Sequence, residues 1–222
     1  MDSVRPALSG AWILDMDTTI KTLYGRQEGA QVGYNPHKPG RPSHGLHTFM
    51  VGNLRLVLEA VLSPGKQHSS RHASQALDRL LGQLGPQGPS LVSGDCGFGN
   101  EEIISICESR NVSYLLRLRQ TTNVKRLIER LFMRGDWRRA TTLSQGWQAC
   151  EDELRLSGWS KARRVLVLRR RIRHDVALQT KNAQAQMTLM LPDDDVLDNS
   201  RLWEYTVLVS NAAHGIETMG QL

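Results

Sequence analysis

The stretch ILDMDTT, residues 13–19, decides how this chain is read. Three residues led by Trp12 carry apolar character into Asp15, and a second acid, Asp17, follows one residue later. Side chains alternate along a strand, so Asp15 and Asp17 share one side and Met16 takes the other. An unpaired buried carboxylate is expensive. A buried strand that ends on two of them therefore needs a reason.

Working outward, residues 24–45 (YGRQEGAQVGYNPHKPGRPSHG) are rich in Gly, Pro and basic residues and read as turns and loop. LHTFMVG and LRLVLEAVLSPG then read as two strands joined near Gly52-Asn53. Ala73, Ala76, Leu77, Leu80, Leu81 and Leu84 form one apolar stripe at helical spacing, capped by Ser69 or Ser70 and ended by Gly85-Pro86. PSLVSGDCGFGN is a short strand that stops at Asp95 in a glycine-flanked turn. Asn100 caps a second helix whose first turn holds Glu101 and Glu102, where acids suit the helix dipole. VSYLLRLR reads as a strand and NVKRLIERLF as a helix. This alternation predicts an α/β sheet with helices packed on it.

After Phe132 the pattern changes. WRRATTLSQGWQACEDELRLSGW, RRVLVLRRRI and AQMTLMLP read as strands with turns, and residues 133–198 are taken as a β-rich insertion. LWEYTVLVSN returns to a buried strand, and GIETMGQL starts a helix, so residues 199–222 close the organisation that residues 1–132 open.

Asp95, like the Asp15–Asp17 pair, lies just past the carboxyl end of a predicted strand. Ligands collect outside those ends in open α/β sheets. Carboxylates converging there from two strands make an oxygen-rich site suited to Mg²⁺. Acids at strand ends also serve as turn formers and helix caps, and spacing alone leaves both readings open.

Composition narrows the setting. Hydrophobic residues are 40% and charged residues 23% of the 222, ordinary for a globular protein. No apolar run approaches the ~18 residues of a membrane span, and MDSVRPALSG has no signal-peptide pattern. A cytoplasmic, nucleoid-associated location is expected. Three widely spaced cysteines argue against a disulfide framework or a cysteine zinc site. A net charge of +6 favours a polyanionic partner.

Two families write the opening motif. ILDMDTT resembles the Asp-x-Asp-x-Thr of haloacid-dehalogenase-like phosphatases, with Asp15 as nucleophile and Asp17 as acid/base. Their late Gly-Asp motif carries a further Asp, where this chain has Gly99 and Asn100. The broader resemblance is to the DDE transposases of bacterial insertion sequences. LDMDTTIKTLYGRQEGAQVGYNPHKPGRPSHG resembles that family's first-aspartate block, and SGDCGF its second, with Ser93 where arginine is usual. ARRVLVLRRR and YTVLVSN resemble stretches in and after its inserted β region.

That resemblance implies a ribonuclease H-like fold: a mixed sheet flanked by helices, with three acids holding two Mg²⁺ or Mn²⁺ ions. Asp17 and Asp95 match the first two acids, because the wider superfamily keeps an Asp-x-Thr unit that Asp17 and Thr19 provide. Asp15 is then a neighbour that tunes the site or binds a metal through water. It also implies DNA as partner, both element ends and target, and a homodimer in the complete enzyme. The family's glutamate follows in a Tyr-x-x-Arg-x-x-x-Glu unit, which these residues do not contain; Glu204 and Glu217 are poor substitutes. The chain is therefore expected to be a core truncated at both ends and inactive alone. A DNA-binding remnant is the alternative from another class.

Lys161, Arg163, Arg164, Arg169, Arg171 and Arg173 lie in one basic run around an apolar centre. It reads as a phosphate-tracking ribbon, or as an edge strand kept soluble by charge. Arg26, Lys38 and Arg41 in the long loop are further phosphate candidates. Trp137, Trp147 and Trp159 read more readily as core of a small β domain than as base-stacking platforms. The seven histidines show no metal spacing and are expected in surface or loop roles.

Overall fold

The structure, a computed structural model, describes residues 5–25, 27–33, 35, 38–66, 69–139, 146–171 and 202–213. The chain divides into two compact units. The first runs to Arg119 and also takes Ser157–Lys161 and Val209–Ala212; the second takes most of the rest.

In the first unit the strands are β1 (Ile13–Thr22), β2 (Gln31–Val32), β3 (Pro42–Val51), β4 (Leu56–Pro64), β5 (Leu91–Gly94) and β6 (Ser113–Arg117). Helices α1 (Ser69–Leu84) and α2 (Glu101–Ser109) join them. The sheet is mixed, in the order β2-β3-β1-β5-β6, with β4 on β3. β1, β3 and β4 pair antiparallel, whereas β1, β5 and β6 pair parallel. This is the ribonuclease H-like mixed sheet flanked by helices that the resemblance implied.

The local causes are legible residue by residue. All six apolar residues of the α1 stripe are buried, and the helix packs on α2, β3 and β4. Gly85 ends it at φ 54°, a left-handed value suited to glycine. The β3–β4 hairpin turns through Gly52–Leu54 as expected, with Arg55 at φ 50°. Asn100 Oδ1 accepts from Ile103 N at 3.1 Å and so caps α2. Trp12 Nε1 donates to Gln87 O, and Ser90 N donates to Trp12 O at 2.9 Å, which sets β5 beside β1 from their first residues.

One expectation needs correction. β1 does not end on its acids but continues to Thr22. It is β5 that ends, at Gly94 opposite Met16, so β1 beyond Met16 keeps its partner β3 on one side only. Asp17 sits where the parallel neighbour has run out, while Asp15 still lies beside Ser93.

Ser210 and Asn211, from the predicted strand YTVLVSN, secure β6 within this unit. Ser210 Oγ donates to Tyr114 O at 2.6 Å, and Tyr114 N donates to Asn211 Oδ1 at 2.8 Å.

The second unit contains α3 (Thr122–Arg134), β7 (Arg138–Arg139), β8 (Trp147–Leu154), β9 (Arg163–Arg171) and β10 (Trp203–Ser210) as far as Leu208. Its strand order is β10-β9-β8-β7, and β8 and β9 are antiparallel. α3 buries Val124, Leu127, Ile128 and Leu131, and Gly135 closes it at φ 77°. Arg134 ties its end to β8 through Asp152 Oδ2 at 3.1 Å and Glu151 O at 3.2 Å. The predicted strand AQMTLMLP and the helix begun by GIETMGQL lie outside the described residues.

Candidate functional site

The geometry starts from the β1–β5 register. Asp15 is the partner of Ser93 and Met16 of Gly94, and the next residue in each chain is Asp17 and Asp95. Adjacent strands are ~4.8 Å apart, and Asp17 and Asp95 each follow directly on the last paired residues, at the step left by the end of β5. Both are exposed.

Each acid is oriented locally. Thr19 Oγ1 donates to Asp17 Oδ2 at 3.3 Å, which accounts for the Asp-x-Thr spacing. Gly97 N donates to Asp95 Oδ1 at 2.9 Å, and Phe98 N donates to Asp95 O at 3.1 Å, closing a tight turn. Glycine is required around that turn. A Cβ on Gly94 would sit 3.0 Å from Phe98 Cδ2, and one on Gly99 would sit 2.6 Å from Arg117 O. The turn-forming role of Asp95 and a ligand role are compatible, because the turn uses Oδ1 and leaves Oδ2.

Asp15 lies one alternation deeper and is half-buried. Its Oδ1 accepts a 2.6 Å hydrogen bond from Ser93 Oγ. This contact had no signal in the sequence beyond Ser93 itself.

Mg²⁺ takes one or two carboxylates beside several waters and substrate phosphates, and Asp17 and Asp95 are carboxylates of that kind, both exposed. Among the described residues no group of three His, Cys, Asp or Glu is arranged to hold a metal.

The long loop folds around its polar residues. Buried Asn35 donates from Nδ2 to Thr22 Oγ1 at 2.8 Å and accepts from Lys38 N at 3.1 Å. Lys38 Nζ donates to Tyr24 OH and lies 4.7 Å from that ring's centroid, with the Arg41 guanidinium 5.5 Å away. Tyr24 is 68% exposed, so both candidate phosphate contacts are displayed on an aromatic support. Arg26 lies outside the described residues.

The basic run on β9 is less available than its charge suggests. Arg163 is 4% exposed, which removes it from any surface ribbon. Arg164 pairs with Glu151, Lys161 with Glu108 at 3.0 Å, and Arg170 with Glu204 at 2.7 Å. Arg169 is packed between aromatic rings, 3.9 Å from Trp137 and 4.2 Å from Trp203, and donates to Gln148 Oε1 at 2.8 Å. Burial lowers its pKa from the usual guanidinium value. Arg171 is exposed, and Arg173 lies outside the described residues. Trp159 is buried, while Trp137 and Trp147 are half-buried.

Two histidines also depart from expectation, since His44 and His47 are buried rather than in surface roles. His47 Nδ1 is 2.8 Å from Thr18 Oγ1 and its Nε2 is 3.0 Å from Ser63 Oγ. Ser63 donates its own proton to Gly45 O, so it accepts from Nε2–H, and Thr18 donates to Nδ1. Burial, then His72, lowers its pKa, which favours the neutral ring. The signal was present: His47, Phe49 and Val51 alternate in phase on β3, and all three are fully buried.

A mixed sheet in the order β4-β3-β1-β5-β6, antiparallel on one side of β1 and parallel on the other, defines a ribonuclease H-like core. The family model for the transposase DDE domain, group 1, matches residues 5–188, and the chain belongs to that family. This sets the phosphatase reading aside. No curated protein matches. Among solved structures, a piggyBac transposase synaptic complex with hairpin DNA aligns at 9% identity and TM-score 0.49, covering 93% of this chain and 34% of that one. Endonuclease V of Ciona intestinalis, in complex with inosine-containing DNA, aligns at 10% identity and TM-score 0.29, covering 60% and 64%. The chain therefore spans about a third of the transposase it aligns with. Among the described residues no helix is long and apolar enough to cross a membrane.

Proposed function

We propose that this chain is catalytic-core material of a DNA transposase, with Asp17 and Asp95 as two of its metal-binding acids. The observation that supports the reading is the parallel β1–β5 register, which ends with Met16 beside Gly94, one residue before Asp17 and Asp95. Mg²⁺ or Mn²⁺ bound there would activate an attacking oxygen and stabilise a leaving one at phosphorus. The chain's own contribution is positional. Thr19 and the Gly97 N–H hold the two carboxylates, while Lys38 and Arg41 offer phosphate contacts from the loop. Water attacking a phosphodiester at an element's end frees a 3′ hydroxyl, which then displaces a phosphodiester oxygen in target DNA.

The Tyr-x-x-Arg-x-x-x-Glu unit occurs nowhere in the 222 residues. We therefore expect this polypeptide alone to bind a divalent ion weakly and to join no DNA ends, with residues 133–198 as an insertion in the core. Titration calorimetry with Mn²⁺ tests the reading. Binding by the wild-type chain that is lost in both Asp17→Asn and Asp95→Asn supports it; equal binding by all three refutes it.

The absence of a third ligand among the described residues favours one second reading, a DNA-binding remnant that competes with an intact relative. Adding a polypeptide that carries the glutamate helix separates the two. Restored cleavage belongs to a competent core, and continued inactivity with DNA bound belongs to a remnant.

A further inference from the structure

The β5–β6 register continues the row of side chains across the site. Leu115 is the partner of Ser93 and Leu116 of Gly94, so the residue lateral to Asp95 is Arg117. β1, the turn directly after β5, and β6 thus carry Asp17, Asp95 and Arg117 in turn across the sheet, with Asp17 and Arg117 roughly 10 Å apart at their backbones, two strand spacings. The Ser93–Asp15 hydrogen bond shows that lateral neighbours in this sheet share a face and touch.

Two further observations fix Arg117 beside the acids. The turn that carries Asp95 packs directly on its backbone, since a Cβ on Gly99 would meet Arg117 O. Leu116 and Leu118 are buried, which leaves Arg117 and Arg119 together on the exposed side of the alternation. Among the described residues neither arginine has an ion-pair partner, in contrast to Lys161, Arg164 and Arg170.

We propose that Arg117, assisted by Arg119, is a positioning residue that grips a phosphate of the DNA strand lying across Asp17 and Asp95. A guanidinium fork matches two phosphate oxygens and keeps its charge at any working pH. Next to two carboxylates it also offsets repulsion of the incoming polyanion before an ion is bound. This rests on the metal reading of the acid pair.

The test measures binding of the 222-residue chain to a short fluorescent DNA duplex by anisotropy, in Mn²⁺ and in a chelator, across a salt series. Mn²⁺ calorimetry and a thermal melt accompany each variant. Arg117→Ala is expected to weaken DNA binding in Mn²⁺ by about tenfold and to reduce the salt slope by about one. Its Mn²⁺ affinity should be unchanged or higher, and Arg117→Lys should recover part of the DNA affinity. Arg117→Ala that binds DNA within about twofold of wild type, with an unchanged salt slope, overturns the proposal, as does a wild-type chain that binds no DNA. Failure of the metal reading looks different: Asp17→Asn and Asp95→Asn would then leave Mn²⁺ binding intact whatever Arg117 does. Should Arg117→Ala melt early, Arg117→Lys and Arg119→Ala carry the same readouts.

Discussion

Ser93 Oγ donates a 2.6 Å hydrogen bond to Asp15 Oδ1, tying β5 to β1 two residues before Asp17 and Asp95. A half-buried carboxylate is thereby satisfied, and the two strands are held in the register on which the candidate site depends. Ser93→Ala leaves that oxygen unpaired and should destabilise the fold by about 1–3 kcal/mol. Urea unfolding measures the loss, and Ser93→Thr should retain most of the stability.

The glycines around Asp95 should differ in sensitivity. A Cβ on Gly99 meets a backbone carbonyl at 2.6 Å, which cannot swing aside, whereas one on Gly94 meets side-chain atoms of Phe98 and Met16. Gly99→Ala is expected to destabilise the chain more than Gly94→Ala, the latter by about 1–3 kcal/mol. Denaturant midpoints of the two variants check the order, and equal midpoints would count against the packing described.

His47 predicts a pH dependence. Its folded-state pKa lies below the ordinary 6.5, through burial first and His72 second. Between those values the unfolded chain binds a proton that the native chain refuses. Stability is full above about pH 6.5 and falls as pH drops toward the folded value, by up to about 1.4 kcal/mol per pH unit. His47→Gln should show a shallower loss between pH 6.5 and 5 in parallel melts. An identical pH profile in the variant would rule out the buried neutral ring as the cause.

Much of this fold could be read before any coordinates, because its signals are local. The α1 stripe, the Asn100 cap and the Gly52-Asn53 hairpin each follow from neighbours in the sequence. What stayed hidden is lateral. That β5 is four residues long, that Ser93 meets Asp15, and that Gly94 pairs with Leu116 just before Asp95 and Arg117 all depend on strand register. The ion pairs of the basic run were hidden for the same reason: charge is visible in sequence, but the partners Glu151, Glu108 and Glu204 are not. Arg163 looks like its neighbours and is buried.

The cysteines give a chemical check on the packing. Cys96 is exposed in the Asp95 turn, while Cys107 and Cys150 are buried. Burial pushes the Cys107 thiol up to about 12 and also raises that of Cys150. Thiolate is the reactive form, so alkylation at pH 8 should label Cys96 first and the other two only after unfolding. Peptide mass spectrometry reads the order; early labelling of Cys107 would contradict the packing of α2.

Because β1 outruns β5, Asp17 stands on a ledge that β3 backs on one side only, and such a ledge tolerates some edits better than others. One residue inserted in β1 ahead of Asp15 would swing both β1 carboxylates to the side now held by Met16. Two inserted residues would restore the facing but carry Asp17 about 6.6 Å along the strand, away from Asp95. A length change in this block therefore displaces every side chain that follows it, whereas a point change alters one.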